Sequence, residues 1–124
     1  MRRETYNLEA GEGLPLSDAV RFGDLVFVSG MVGFDEDGQI VKGGIAAETR
    51  QTFRHIERVL EKAGCRLADV LKVSIILTDA KDFNAFNAAY REVFPEHPPA
   101  RISMVAGLTI DARLEVDVIA GLSR

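Results

Sequence analysis

The sequence predicts an α+β fold in which two helices lie on one face of a mixed β-sheet, in the order β-β-β-α-β-α-β-β. Two segments place apolar residues at helical spacing, the other apolar runs have the alternation or β-branching of strands, and turn residues separate them. The chain has 124 residues, of which 47% are hydrophobic and 27% charged. This length and composition fit one domain spanning residues 1–124.

The predicted strands before the first helix are short and are joined by tight turns. Ala19–Phe22 and Leu25–Ser29 flank a Gly-Asp pair, which favours an antiparallel hairpin. A second turn signal at Asp35–Gly38 predicts a further short hairpin between Met31–Phe34 and Gln39–Val41.

An amphipathic helix is predicted from Ile45 to Ala63, and Gly64 closes it. The positions assigned to its buried stripe are Thr49, Phe53, Ile56, Val59, Leu60 and Ala63. The charged residues, Glu48 among them, are assigned to the opposite, solvated face. His55 is interpreted as a solvated residue near that face, and Cys65 as a small packed residue just past the helix end.

The second half of the chain predicts a strand, a helix and two closing strands. Val70–Leu77 is largely apolar and rich in β-branched residues, as in a strand with both faces partly covered. Asp82 is a candidate cap for the second helix, and two strands follow at Ile102–Val105 and Leu114–Ala120. The buried stripe predicted for this helix is Phe83, Phe86, Asn87, Tyr90, Val93 and Phe94.

Two charged residues stand out on the closing strands. Arg101 comes shortly after two prolines, which have a fixed φ and no N–H and so stiffen the chain before it. Its planar guanidinium is then held where it can bind a carboxylate. The alternative is an ordinary surface ion pair. Alternation puts Glu115 and Asp117 on the face opposite the apolar residues of the last strand. That face is either solvated or part of a subunit interface shared by Glu115 and Arg101. Because two helices cover only one side of a sheet, we expect oligomerisation to cover the other.

Composition argues against several classes of function. The net charge is −4 and the basic residues are scattered, so nucleic acid is not an expected partner. No apolar segment is long enough to span a membrane, and we expect a cytoplasmic protein. One cysteine, with His55 and His97, provides too few ligands for a zinc site, and no cofactor or metal is expected.

In these features the chain resembles the RidA/YjgF family of reactive-intermediate deaminases, from about Leu16 to Ala120. The segments that carry the resemblance are Gly23–Gly30, Thr49–Gln51, Glu61–Gly64, Asp69–Val73, Leu77–Asp79, Asp82-Phe83 with Asn87 and Tyr90, Pro99–Arg101 and Leu114–Ala120. The resemblance implies a chorismate-mutase-like fold and a homotrimer, with a central β-barrel and sites in clefts between subunits.

The resemblance also implies an activity and roles for individual residues. The activity is hydrolysis of imines and enamines that carry a carboxylate, such as 2-aminoacrylate and 2-iminopropanoate, to 2-keto acids and ammonia. Arg101 matches the arginine that binds the substrate carboxylate, and Glu115 the acidic residue that positions or activates water. Gly30 and Ser103 match positions whose backbone contacts ligands. Asn87 matches a family asparagine, which we interpret as a structural hydrogen-bonding residue.

The chain departs from the family pattern at four places. Leu16 stands where many members have tyrosine, Met31 where glutamine is common, and Ser103 where several have cysteine; residues 107–111 replace the frequent Arg-Leu-Pro-Lys-Asp turn. These departures predict a less polar pocket and a bulkier or more apolar imino acid, or an enamine such as aminomuconate or aminoacrylate, as substrate.

Two alternatives remain open from the sequence. One is an endoribonuclease or translation inhibitor, which the negative net charge and the positions of the two histidines disfavour. The other is a trimer that binds a small carboxylate in the same cleft without catalysis.

Overall fold

The computed structural model describes residues 2–8 and 13–122, which form a six-stranded mixed sheet with two α-helices on one face. The predicted fold is confirmed. The elements are β1 (Arg3–Tyr6), β2 (Ala19–Phe22), β3 (Leu25–Met31), α1 (Gly44–Lys62), β4 (Val70–Leu77), α2 (Phe83–Val93), β5 (Ala100–Val105) and β6 (Leu114–Gly121).

The strands are ordered β1-β2-β3-β6-β4-β5 across the sheet. All neighbouring pairs are antiparallel except β4 and β5, which run parallel because α2 carries the chain back between them. The strand that closes the chain, β6, therefore lies inside the sheet, between β3 and β4. This order leaves β5 at one edge, next to α2.

The strands before α1 differ from the prediction. The first strand, β1, was missed because its sequence is polar and its residues are mostly exposed. The predicted second hairpin is reduced to one bridge between Phe34 and Ile40. The Asp35 side chain accepts hydrogen bonds from the backbone N–H of Asp37 and Gln39, which closes a local turn in place of a strand ladder.

The core lies between the helices and the sheet. Every position assigned to the buried stripe of α1 is buried, and Gly64 ends the helix with φ of 85°. Leu114, Val116, Val118 and Ala120 of β6 face the helices, as alternation predicts. Phe53 contacts the rings of Tyr90 and Phe94 edge-on, which joins α1 to α2. Cys65 is buried, as predicted.

Two predictions for α1 were wrong. Glu48 is buried rather than solvated, at 4% exposure, and its Oε1 accepts a hydrogen bond of 2.8 Å from the backbone N–H of Arg113. It lies three residues after Ile45 and four before Thr52, both buried, so helical spacing places it on the apolar stripe. The Nε2 atom of His55 lies 2.8 Å from the carbonyl oxygen of Phe34, so this half-buried ring is hydrogen-bonded to the backbone.

The start of α2 also differs from its prediction. Asp82 makes no capping hydrogen bond with its side chain; a short 3₁₀ turn precedes the helix, and Asp79 caps that turn by accepting from the backbone N–H of Lys81. Asp82 instead lies 3.5 Å from the guanidinium of Arg113. Phe83, predicted to be buried, is 41% exposed.

The sheet face away from the helices, which we call the open face, is partly apolar. Phe22, Leu25 and Phe27 at one end and Ile102 and Met104 at the other are all exposed. Several large apolar side chains on one exposed sheet face are a feature of surfaces that contact another chain. Among the described residues, no helix has the length and apolar character that crossing a membrane requires.

Candidate functional site

Arg101 is held against aromatic rings on the helix side of the sheet. The register pairs it with Val73 of β4, whose side chain is buried beneath the helices. The guanidinium carbon lies 4.8 Å from the centre of the Tyr90 ring, 5.6 Å from that of Phe86 and 5.8 Å from that of Phe83. Cation–π attraction therefore fixes the guanidinium from one side. This contact gives the partly exposed Phe83 a role other than core packing.

The charge of Arg101 is not neutralised within the described chain. No carboxylate of residues 2–8 or 13–122 lies within ion-pair distance of its guanidinium. The guanidinium borders a groove of about 490 Å³ between α2 and the segment that precedes β5. The residues that line the groove are Asn87, Tyr90, Arg91, Phe94, Pro95, Pro98, Pro99 and Arg101.

Three buried polar atoms near this groove have no hydrogen-bond partner among the described residues. They are Oδ1 of Asn87, the hydroxyl oxygen of Tyr90 and Oγ of Ser103. Ser103 lies two residues after Arg101 on the same face of β5. Buried polar groups without partners are uncommon in folded proteins. Asn87 and Tyr90 line the groove, so these two residues are candidates for contact with a bound group.

The Tyr90 phenol is protonated at neutral pH. Burial raises its pKa above the ordinary value, and the positive charge of Arg101 offsets part of that rise. The guanidinium carbon lies 4.8 Å from the centre of the ring, and a weak interaction of Arg101 with the hydroxyl also lowers the pKa, although no hydrogen bond of good geometry joins the two. The hydroxyl is thus a hydrogen-bond donor available to another group.

Gly30 and Glu115 form a second group of residues, on the open face. A Cβ atom on Gly30 would lie 2.8 Å from both Cδ and Oε2 of Glu115, so only glycine lets the carboxylate rest against β3. The pairing of β3 with β6 shifts register by one residue between Val28 and Met31. Glu115 makes no ion pair within the described residues and is half-buried.

The two groups lie on opposite faces of one protomer. Arg101 pairs with Val73, which faces the helices, whereas Glu115 pairs with Ile76, which faces away from them. Strand β4 also separates β5 from β6. The structure therefore brings Arg101, Ser103 and Asn87 together, and Gly30 with Glu115, but a single chain does not join the two groups.

Two predicted substrate-binding residues belong to neither group. Met31 packs against the core, because the register shift at Gly30 turns its side chain towards the helices. Met31 does not line the groove beside Arg101 in the single protomer, and its role in substrate binding stays a prediction. Leu16 lies in the loop before β2 with its side chain 49% exposed.

The residues of α2 that support Arg101 were missed as site residues. Phe83, Phe86 and Tyr90 recur at steps of three and four, and this pattern is also typical of a buried stripe. The signal that could have revealed them is their position on the helix that immediately precedes β5. In the described ranges, no group of three or more His, Cys, Asp or Glu residues could hold a metal ion.

Comparison with known proteins assigns the chain to a family. Residues 11–122 match the family model described as endoribonuclease L-PSP. The chain belongs to this family, the RidA/YjgF family. The Escherichia coli YjgF gene product, solved by crystallography, superimposes with a TM-score of 0.87 at 30% identity, covering 95% of this chain and 98% of the other.

Relatives within the RidA/YjgF family have different names. A RutC family protein of Pyrococcus abyssi is 41% identical over 108 residues, covering 86% of this chain and 85% of the relative. The human 2-iminobutanoate/2-iminopropanoate deaminase is 36% identical over 108 residues, covering 86% of this chain and 79% of the relative.

Proposed function

We propose that this RidA/YjgF protein hydrolyses 2-imino acids and their enamine tautomers to 2-keto acids and ammonia. The observation that carries the proposal is the Arg101 guanidinium, held on three rings without a carboxylate partner in the described chain and open to a groove. A planar guanidinium in that state suits the carboxylate common to these substrates. The name of the human relative supports the same chemistry.

We further propose that the working unit is a homotrimer, with each site in a cleft between two protomers. A second chain would bury the apolar side chains of the open face. Because Arg101 and Glu115 lie on opposite faces of one protomer, a second chain is also required to bring the two residues into one site. In a cyclic assembly, one protomer provides Arg101 and its neighbour provides Glu115. Sedimentation as a monomer at micromolar concentration would contradict this arrangement.

The proposed reaction divides the work between the two charged residues. Arg101 binds the carboxylate and fixes the imine carbon in the cleft. Glu115 accepts a proton from a water molecule whose oxygen forms a bond to that carbon. As the C–O bond forms, the electrons of the C=N double bond move to nitrogen, which takes the proton that Glu115 accepted and gives a carbinolamine. Glu115 then accepts the hydroxyl proton and passes it to nitrogen, so that the carbonyl forms as the C–N bond breaks and ammonia leaves. Hydrolysis transfers no electrons, so these groups suffice without a cofactor.

The close contact of Gly30 with Glu115 yields a prediction. Gly30→Ala is expected to displace the carboxylate and lower kcat by about tenfold or more, since a general base must stay within hydrogen-bond reach of its water. The displaced group is the end of a flexible side chain, so the melting temperature should change little. Steady-state kinetics and thermal melting check both parts, and a variant with wild-type kcat would contradict the role of this contact.

RNA cleavage, which the family model's description suggests, has less support from the site. His55 is bound to a backbone carbonyl, and His97 does not line the groove. General acid–base cleavage of a phosphodiester usually needs such groups facing the substrate.

The experiment that tests the proposed function generates imines in place with an amino-acid oxidase and follows the release of ammonia. The protein is expected to accelerate release above the spontaneous rate, in proportion to its concentration. Absence of acceleration with imines from alanine, leucine, phenylalanine and glutamate, by a folded oligomer, would contradict it.

A further inference from the structure

A second arginine lines the groove beside Arg101. Arg91 follows Tyr90 on α2, is exposed, and lines the same groove. In the described part of the chain, it forms no ion pair, whereas its neighbour Glu92 is bound to Arg50 on α1 at 3.0 Å. The groove lining includes two arginines and no acidic residue. It is thus a cationic groove on a chain whose net charge is −4.

One substrate carboxylate would neutralise only half of this charge. We propose that Arg91 binds a second carboxylate at the far end of the substrate, so that the preferred imino acids have an acidic side chain. This inference rests on the proposed function of the same groove. A dianion matches the two guanidiniums, each of which can bind a carboxylate through paired hydrogen bonds.

The size and walls of the groove fit such a ligand. A volume of about 490 Å³ lies within the range of small-molecule sites and leaves room beyond a three-carbon imino acid. Phe94, Pro95 and Pro98 line it with apolar surface, which suits the methylene groups between the two carboxylates. An acidic side chain agrees with the expected larger substrate but departs from the expected less polar pocket, because two arginines line the groove.

The structural alternative is that Arg91 stabilises α2. It lies in the last turn of the helix, where a positive charge interacts favourably with the helix dipole. That role affects stability but does not discriminate between ligands. The test therefore compares ligands of similar shape that differ in terminal charge.

The experiment measures binding of 2-oxoglutarate and of its open-chain 5-methyl ester, which keeps only the first carboxylate, by titration calorimetry. The wild-type protein is expected to bind the dicarboxylate about five- to tenfold more tightly than the ester, the effect of one partly exposed charge-assisted contact. Arg91→Gln should abolish this ratio. Arg58→Gln removes the same charge from an exposed position of α1 outside the groove and should preserve it.

Equal affinity of the wild-type protein for the two ligands, or a ratio unchanged in Arg91→Gln, would overturn the inference. A lower melting temperature of Arg91→Gln with an unchanged ratio would assign Arg91 to the helix dipole instead. Measuring imine hydrolysis alongside binding distinguishes failure of the second carboxylate site from failure of the proposed function. Hydrolysis of imines by a protein without the ligand ratio refutes only the second carboxylate site, whereas the ratio without any imine hydrolysis refutes only the proposed function.

Discussion

Replacing Arg101 with alanine is expected to lower kcat/KM for imine hydrolysis by about a hundredfold or more, the effect of losing a charge-assisted, paired contact to the substrate carboxylate. The groove would keep its apolar walls but lose the group that orients the imine. Ammonia release from oxidase-generated imines measures the effect directly. The variant should still fold, because Arg101 makes no ion pair within the described chain.

Arg101→Lys provides a graded control for the same position. Lysine keeps the positive charge but lacks the planar fork and stacks less well on the rings of Phe83, Phe86 and Tyr90. We expect activity between those of wild type and Arg101→Ala. Full activity in the alanine variant would remove Arg101 from the site.

Replacing Glu115 with glutamine is expected to lower kcat by about a hundredfold or more with a small change in KM, the range for loss of a general base. The amide keeps the size of the side chain but accepts no proton from water. Steady-state kinetics with one imine across a range of concentrations separates the two parameters.

Asp117→Asn is the matched control for Glu115→Gln. Asp117 lies two residues further along β6 on the same face, and it is exposed. Its neutralisation removes the same charge from the same strand and should leave kcat unchanged. A similar loss in both variants would indicate a general electrostatic effect of the open face and contradict a specific role for Glu115.

Sequence patterns predicted the elements whose apolar spacing is regular. Helix α1 and strand β6 agree with their predictions because each buries one face, which imposes a period on the sequence. Strand β1 was not predicted because it is a polar strand at the sheet edge and most of its residues are exposed. Glu48 was assigned to the solvated face because it is charged, although helical spacing places it on the buried stripe. The backbone N–H and the guanidinium of Arg113 compensate its charge there.

The candidate site was predicted only in part for a related reason. Arg101 and Glu115 could be selected by residue type and by the resemblance, but which face each occupies depends on strand register. Met31 illustrates this dependence, since a one-residue register shift in β3 precedes it and its side chain packs against the core. The aromatic support of Arg101 was hidden because the same spacing predicts ordinary core packing.

The central claim, that Arg101 of one protomer works with Glu115 of the next, is tested most directly by mixing two inactive chains. Arg101→Ala and Glu115→Gln are co-expressed with different tags, and oligomers that contain both are assayed beside each variant alone. Every trimer that contains both chains has one intact cleft in three, so the account predicts about a third of wild-type activity for the doubly tagged oligomers. Activity no higher than that of either variant alone would contradict a site shared between subunits.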